Sequence, residues 1–187
     1  MHIPLGILAA SGGGAAGAFE SIATQTLSSD TASITFSSIP TTYQHLQIRC
    51  VTRDNGSGTS GSSGLLVRLN GDTGSNYAWH YLYGNGSTAG AYGVASQTGM
   101  YMGNVVRNGF LADTFAVNII DLHDYTASTK NKTLRSLSGY DANGKGEIYL
   151  YSGFRNNTAA VTSITLFPDA LLFKSGSTFA LYGIKGA

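Results

Sequence analysis

Hydrophobic and polar residues alternate with a period of two along most of this chain after Phe19. "SIATQTL" (21–27) and "ASITFSSI" (32–39) alternate first, with Ile34 and Phe36 on one face and Pro40 closing the run. "HLQIRCVTRD" (45–54) is the clearest case. Leu46, Ile48 and Cys50 point one way and His45, Gln47 and Arg49 the other, as side chains of a pleated strand do. "LLVRLNGD" (65–72) predicts a strand running into a turn. In "GSNYAWHYLYGNG" (74–86), Tyr77, Trp79, Tyr81 and Tyr83 share one face, and Ala78, His80 and Leu82 the other. Glycines break "GAYGVASQTGMYMGNVV" (90–106) into short strands, and "DTFAVNIIDLHDY" (113–125) sets Phe115, Val117 and Ile119 on one side. "KTLRSLSGYDANGKGEIYLYSGF" (132–154) predicts a hairpin turning within 141–146. "AVTSITLFP" (160–168) and "STFALYGIKG" (177–186) complete the set, and "NGSGTSGSSG" (55–64), with no apolar side chain, is expected to be an exposed, mobile loop.

No stretch sustains an i, i+3, i+4 pattern with helix caps. The reading is therefore all-β: about eight to ten strands, each with one face to hide. Two antiparallel sheets packed face to face hide those faces. A jelly-roll-like β-sandwich is expected rather than an immunoglobulin-like one, because the Cys…Trp…Cys spacing is absent. Residues 20–187 form this domain and residues 1–19 a separate arm. A single domain of 187 residues buries about 70% of its unfolded surface.

Composition narrows the class. Charged residues make up 11% of the chain, against about 25% in an ordinary globular domain. The surface must be covered by Ser, Thr, Asn, Gly and Tyr instead, as in extracellular or particle-associated β proteins. The net charge is +1 and the basic residues, such as Arg49, Arg53, Arg68, Arg107 and Lys132, are scattered singly. No electrostatic footprint for nucleic acid results. Cys50 is the single cysteine; it cannot form an intramolecular disulfide, and its place in an alternating stretch predicts a buried small hydrophobe.

The opening "MHIPLGILAASGGGAAGAFES" is apolar, then glycine-rich. The first Lys or Arg of the whole chain is Arg49, so the basic n-region of a secretory signal is missing. The apolar run Ile3–Ala10 is far shorter than the roughly 20 residues that span a bilayer. The expectation is a docking arm. Ile3, Pro4, Leu5, Ile7, Leu8 and Phe19 would supply its contacts, and the Gly/Ala tract a flexible tether. Such an arm orders on a neighbouring subunit or partner; the alternative is an extra edge strand on its own sandwich.

Candidate chemistry is sparse. "LNGDTGSN" (69–76) superficially suggests a calcium loop but lacks the acidic density and bidentate Glu, so a turn is expected; "DANGKGE" (141–147) fails in the same way. "DLHDYT" (121–126) sets His123 between Asp121 and Asp124, a pairing that could orient a base. No G-x-S-x-G elbow accompanies it, and a polar strand end is the plainer reading. "SGGGAAGA" (11–18) has no following Lys-Ser or Lys-Thr, which argues against a phosphate loop. Neither a cofactor nor a metal is expected. The Asn-Xaa-Ser/Thr triplets at Asn55, Asn85, Asn131 and Asn156 reflect composition more than glycosylation. The row Tyr77, Trp79, Tyr81 and Tyr83 is either core or interface packing, or a platform on which a host glycan stacks.

Four stretches together, "IPLGILAASGGGAAGAFESIAT", "SITFSSIPTTYQHLQIR", "LLVRLNGDTGSNYAWHYL" and "SITLFPDALLFKSGSTFALYGIKG", resemble small virion structural proteins of tailed bacteriophages. The resemblance covers nearly the whole chain and is weakest in 84–112. It implies a non-enzymatic particle component, a trimeric capsid cement (decoration) protein or a small tail appendage. The implied partners are the major capsid protein or other virion proteins, and the implied location is the virion. It supplies no catalytic residues. A low-charge sandwich with an apolar arm suits a subunit added symmetrically to a shell.

Overall fold

The computed structural model describes residues 17–59 and 61–186. These fold into β1 (Phe19–Thr26), β2 (Ile34–Phe36), β3 (His45–Asp54), β4 (Ser62–Leu69), β5 (Tyr77–Gly84) and β6 (Ala89–Gln97), followed by β7 (Met100–Arg107), β8 (Ala116–Leu122), β9 (Lys132–Tyr140), β10 (Glu147–Arg155), β11 (Ile164–Pro168) and β12 (Thr178–Ile184). The architecture is all-β and sandwich-like. One layer runs β1-β12-β3-β8-β9-β10-β5-β6 and the other β2-β11-β4-β7. The end of β3 joins them: Arg53 and Asp54 pair in parallel with Val106 and Arg107 of β7. The sheet stays open rather than closing into a barrel.

The period-two pattern explains the core. Leu46, Ile48 and Cys50 of β3, Ile120 and Leu122 of β8, and Phe179 and Leu181 of β12 meet Leu65, Val67 and Leu69 of β4, Met100 and Met102 of β7, and Ile164 and Leu166 of β11. All are 2% exposed or less, and each such side chain contributes about 1.5–3 kcal/mol by leaving water.

A polar seam crosses this core. β7 pairs with β4 along one edge, while its other edge lacks a full strand partner and lies over the larger sheet. Side chains of that sheet take the partner's place. Asn118 Oδ1 accepts from the Asn104 N–H at 2.9 Å, and Asn118 Nδ2 donates to the Asn104 carbonyl at 3.1 Å. Ser136 donates to the Met102 carbonyl at 2.6 Å, Thr52 to the Asn104 carbonyl at 2.8 Å, and Ser138 to Asn118 Oδ1 at 2.7 Å. Polar residues thus occupy inward positions because an edge strand's buried backbone must be satisfied there.

Two expectations change. Twelve strands form rather than eight to ten, because 90–106 contains two full strands despite its glycines. Residues 62–64 belong to β4 instead of a mobile loop, and Gly56 is buried. Asp54 anchors that turn by accepting from the Gly56 N–H at 2.8 Å and the Ser63 hydroxyl at 2.7 Å. The missing apolar side chains reflect close backbone packing: a Cβ at Gly56 would lie 2.6 Å from Leu171 Cδ1. On β8, Val117 and Ile119 share one side as expected, and it is the outer one: Asn118 and Ile120 face the core. The predicted turn at 141–146 coincides with the gap between β9 and β10.

Candidate docking face and aromatic shelf

The larger sheet has two unlike faces. On the outer one, cross-strand partners line up in register. Arg49 pairs with Ile119, Ile119 with Leu137, Leu137 with Leu150 and Leu150 with Leu82. The next row on that face joins Val51 to Val117, then runs through Gly139, Ile148 and Gly84. Leu82 and Ile148 are 59% exposed, and Val117, Leu150 and Leu137 are 53%, 52% and 51%. The result is an apolar band across β3, β8, β9, β10 and β5. Strands lie about 4.8 Å apart, so the band is about 19 Å wide. A polar row borders it: Gln47, Asp121, Arg135, Ser152 and His80, again in register. Contiguous apolar surface with a polar border marks an interaction site, whereas single exposed leucines do not.

Phe19, the one expected arm contact among the described residues, opens β1 opposite Ile184. Its ring stacks on Tyr182 at 4.8 Å, and the Arg49 guanidinium lies 5.1 Å and 5.4 Å from the two ring centres. Arg49 belongs to the outer row, so these rings lie on the outer face, while β1 itself starts level with Ile184 and His45, beyond the polar row. Ile3, Pro4, Leu5, Ile7 and Leu8 lie outside the described residues.

The aromatic row divides on the inner face. Tyr77 and Trp79 are core residues at 1% and 7% exposure, and Tyr77 donates to the Leu69 and Asp72 carbonyls. Tyr81 and Tyr83 are only half-buried, because β7 packs over β8, β9, β10 and the start of β5, leaving β6 beyond it. Tyr92 of β6, 54% exposed, lies directly opposite Tyr81. Tyr83 stacks on Tyr149 at 5.5 Å, and its ring covers Gly90, where a Cβ would come within 2.5 Å. These phenols form a shelf on strands β6, β5 and β10. At its end Glu147 Oε2 accepts from Tyr149 and Tyr140, both at 3.0 Å. Burial, with Glu147 adding to it, holds both phenols above the ordinary tyrosine value, Tyr140 at about 12. They remain donors at neutral pH.

The other sequence candidates are engaged structurally. Asp72 accepts from the Gly74 N–H at 2.9 Å and from Arg155 Nε at 3.1 Å. Asn70 and Gly71 supply the left-handed turn with φ of 55° and 64°. Around His123, Asp121 accepts from Gln47 at 2.8 Å and pairs with Arg135 at 3.3 Å, while Asp124 pairs with Lys130 at 2.7 Å. His123 itself is exposed and tilts against His45, ring centres 4.6 Å apart. Cys50 is buried, and burial pushes its thiol up to about 12. Among the described residues no group of three His, Cys, Asp or Glu converges to hold a metal, and no helix is long and apolar enough to cross a membrane.

The apolar band had a sequence signal that alternation alone conceals. Strands β8, β9, β10 and β5 carry aliphatic residues on the face opposite their core residues as well. Only the register shows that these second faces adjoin.

No family model matches the chain, and no curated protein matches it. Among solved structures, it is similar to a crystal structure of scytalido-glutamic peptidase with a transition state analog inhibitor. That match has 8% identity and a TM-score of 0.28, and covers 84% of this chain. A second structure of the peptidase, with a peptide based transition state analog, gives a TM-score of 0.24 at 8% identity. The chain spans 66% of the length of each. Likeness at this level carries no argument about chemistry.

Proposed function

We propose that this protein is a non-enzymatic structural subunit of a tailed-bacteriophage virion. In this reading it is a cement protein that sits on the capsid surface and fixes neighbouring major-capsid subunits. The observation that supports it is the apolar band on the outer face of the larger sheet. Five strands present aliphatic side chains there in register, and a face built this way is stabilised when another protein covers it. The arm residues Ile3, Pro4, Leu5, Ile7 and Leu8 would add a second apolar contact, tethered to β1 through the Gly/Ala tract. The subunit is a trimer, as the sequence resemblance implies, and low charge favours such association.

Co-sedimentation with the parent particle tests this. Leu137→Lys together with Leu150→Lys places two ammonium groups in the centre of the band, and removal of residues 1–16 eliminates the arm contact. Each change is expected to abolish pelleting while the circular dichroism spectrum stays that of a β-sandwich. Undiminished pelleting of both variants overturns the docking reading.

A further inference from the structure

The tyrosine shelf lies on the opposite face of β5 and β10 from the apolar band, so a subunit docked through the band presents the shelf away from its partner. We propose that this shelf, with the cleft at its end, binds a neutral hexopyranose-containing glycan. The inference does not depend on the docking reading, because it rests on different side chains and a different face.

The cleft opens between two adjacent hairpin tips, residues 85–88 and 141–146. It adjoins a second recess, and their volumes are about 300 Å³ and 420 Å³. Both are lined by Asn85, Tyr140 and Glu147, with Phe110 at the far side of the second. These volumes fall within the range of small-molecule sites, but the lining is unsuited to an apolar ligand. Glu147 Oε2 is occupied by the two phenols, which leaves Oε1 as an acceptor without a partner among the described residues. Asn85 Oδ1 accepts from the Ser87 and Thr88 backbone N–H groups at 3.1 Å and 2.7 Å. That turn contact fixes the amide and leaves Nδ2 as the donor. Phe110 meets Tyr140 edge to face at 6.2 Å.

The cleft therefore offers an anchored carboxylate acceptor, an anchored amide donor and aromatic walls. The shelf leading to it adds Tyr92, Tyr81 and Tyr83. A pyranose ring matches that set: its C–H face packs on the rings while its hydroxyls both donate to Glu147 and accept from Asn85. Gly84 and Gly86 line the first recess, Gly86 with a φ of 88°. A Cβ at Gly86 would meet nothing within 4 Å, and one at Gly84 only the Thr88 carbonyl at 3.9 Å. Charge selects among sugars. Glu147 and Asp141 border the cleft, and among the described residues Lys145 is the one cation lining it, so uronic and sialic acids are disfavoured by like-charge repulsion.

The experiment is a glycan array carrying neutral and acidic oligosaccharides, followed by calorimetric titration of the strongest neutral ligand. Tyr92→Ala removes an exposed ring of the shelf, and Glu147→Gln removes the charge while keeping shape and a phenol acceptor. Each is expected to weaken binding at least tenfold with an unchanged melting curve, while Leu137→Lys on the opposite face leaves affinity as it was. Binding of acidic sugars only, no binding to any glycan, or affinity indifferent to both shelf variants overturns the proposal. A loss of binding in Leu137→Lys alone would instead place the ligand on the band.

Discussion

Arg155 reaches Asp72 with its side chain only 4% exposed, and the pair meets at 3.0 Å. The Gly74 N–H, then Asn76 and Arg155, hold the Asp72 carboxyl below its ordinary value. A carboxyl lowered in the fold adds stability that is complete above its unfolded value, about 3.9. That stability is lost as the pH falls through the folded value. Asp72→Asn is therefore expected to lower stability by about 3 kcal/mol at pH 7, because it leaves a buried guanidinium unpaired. The gap between the melting curves of variant and wild type should begin to close as the pH falls below about 4 and vanish only below the folded value; a constant gap down to about pH 2 would contradict this. Cys50 gives a simpler check. With its thiol raised to about 12 by burial, it should react with a thiol reagent only after denaturation. Asp72 stood out in the sequence for the right reason, a carboxylate in a turn rich in Asn and Gly. Its partner lies 83 residues away, a separation no local pattern reveals.

At the level of strands, β7 owes its place to side chains as much as to its ladder. Asn118 makes hydrogen bonds to both the N–H and the carbonyl of Asn104, and a further one to Thr52. Asn118→Leu keeps the volume and strands those groups, at an expected cost of about 2–4 kcal/mol. Val117→Thr, one residue away on the exposed face, should change stability by less than about 0.5 kcal/mol. Chemical denaturation of the two variants measures the contrast, and equal effects would contradict the account of the seam. Most strands were legible from alternation because each of β2, β3, β4 and β11 hides one aliphatic face. β8 was legible as a strand, but not which side it buries: its core face carries Asn118 beside Ala116 and Ile120, while Val117 is exposed. Hydrophobicity alone points such a strand the wrong way, since it cannot show that an unpaired edge needs a polar neighbour.

For the molecule as a whole, the unequal layers decide what is surface. The smaller layer ends at β7, so Tyr77 and Trp79 are covered, Tyr81 and Tyr83 only partly so, and Tyr92 is exposed. The sequence showed a four-residue aromatic row but not where its cover stops. The apolar band was hidden for a related reason. Leu82, Val117, Leu137 and Leu150 are far apart in the chain, and each is unremarkable on its own strand; register alone assembles them. In the proposed virion, this band is the surface that becomes covered. Hydroxyl-radical footprinting of the protein, free and bound to its particle, measures that cover side chain by side chain. The account predicts that Leu82, Leu137, Ile148 and Leu150 lose most of their reactivity on the particle while Tyr92 keeps its own. Unchanged reactivity of those four residues in the bound protein would contradict it.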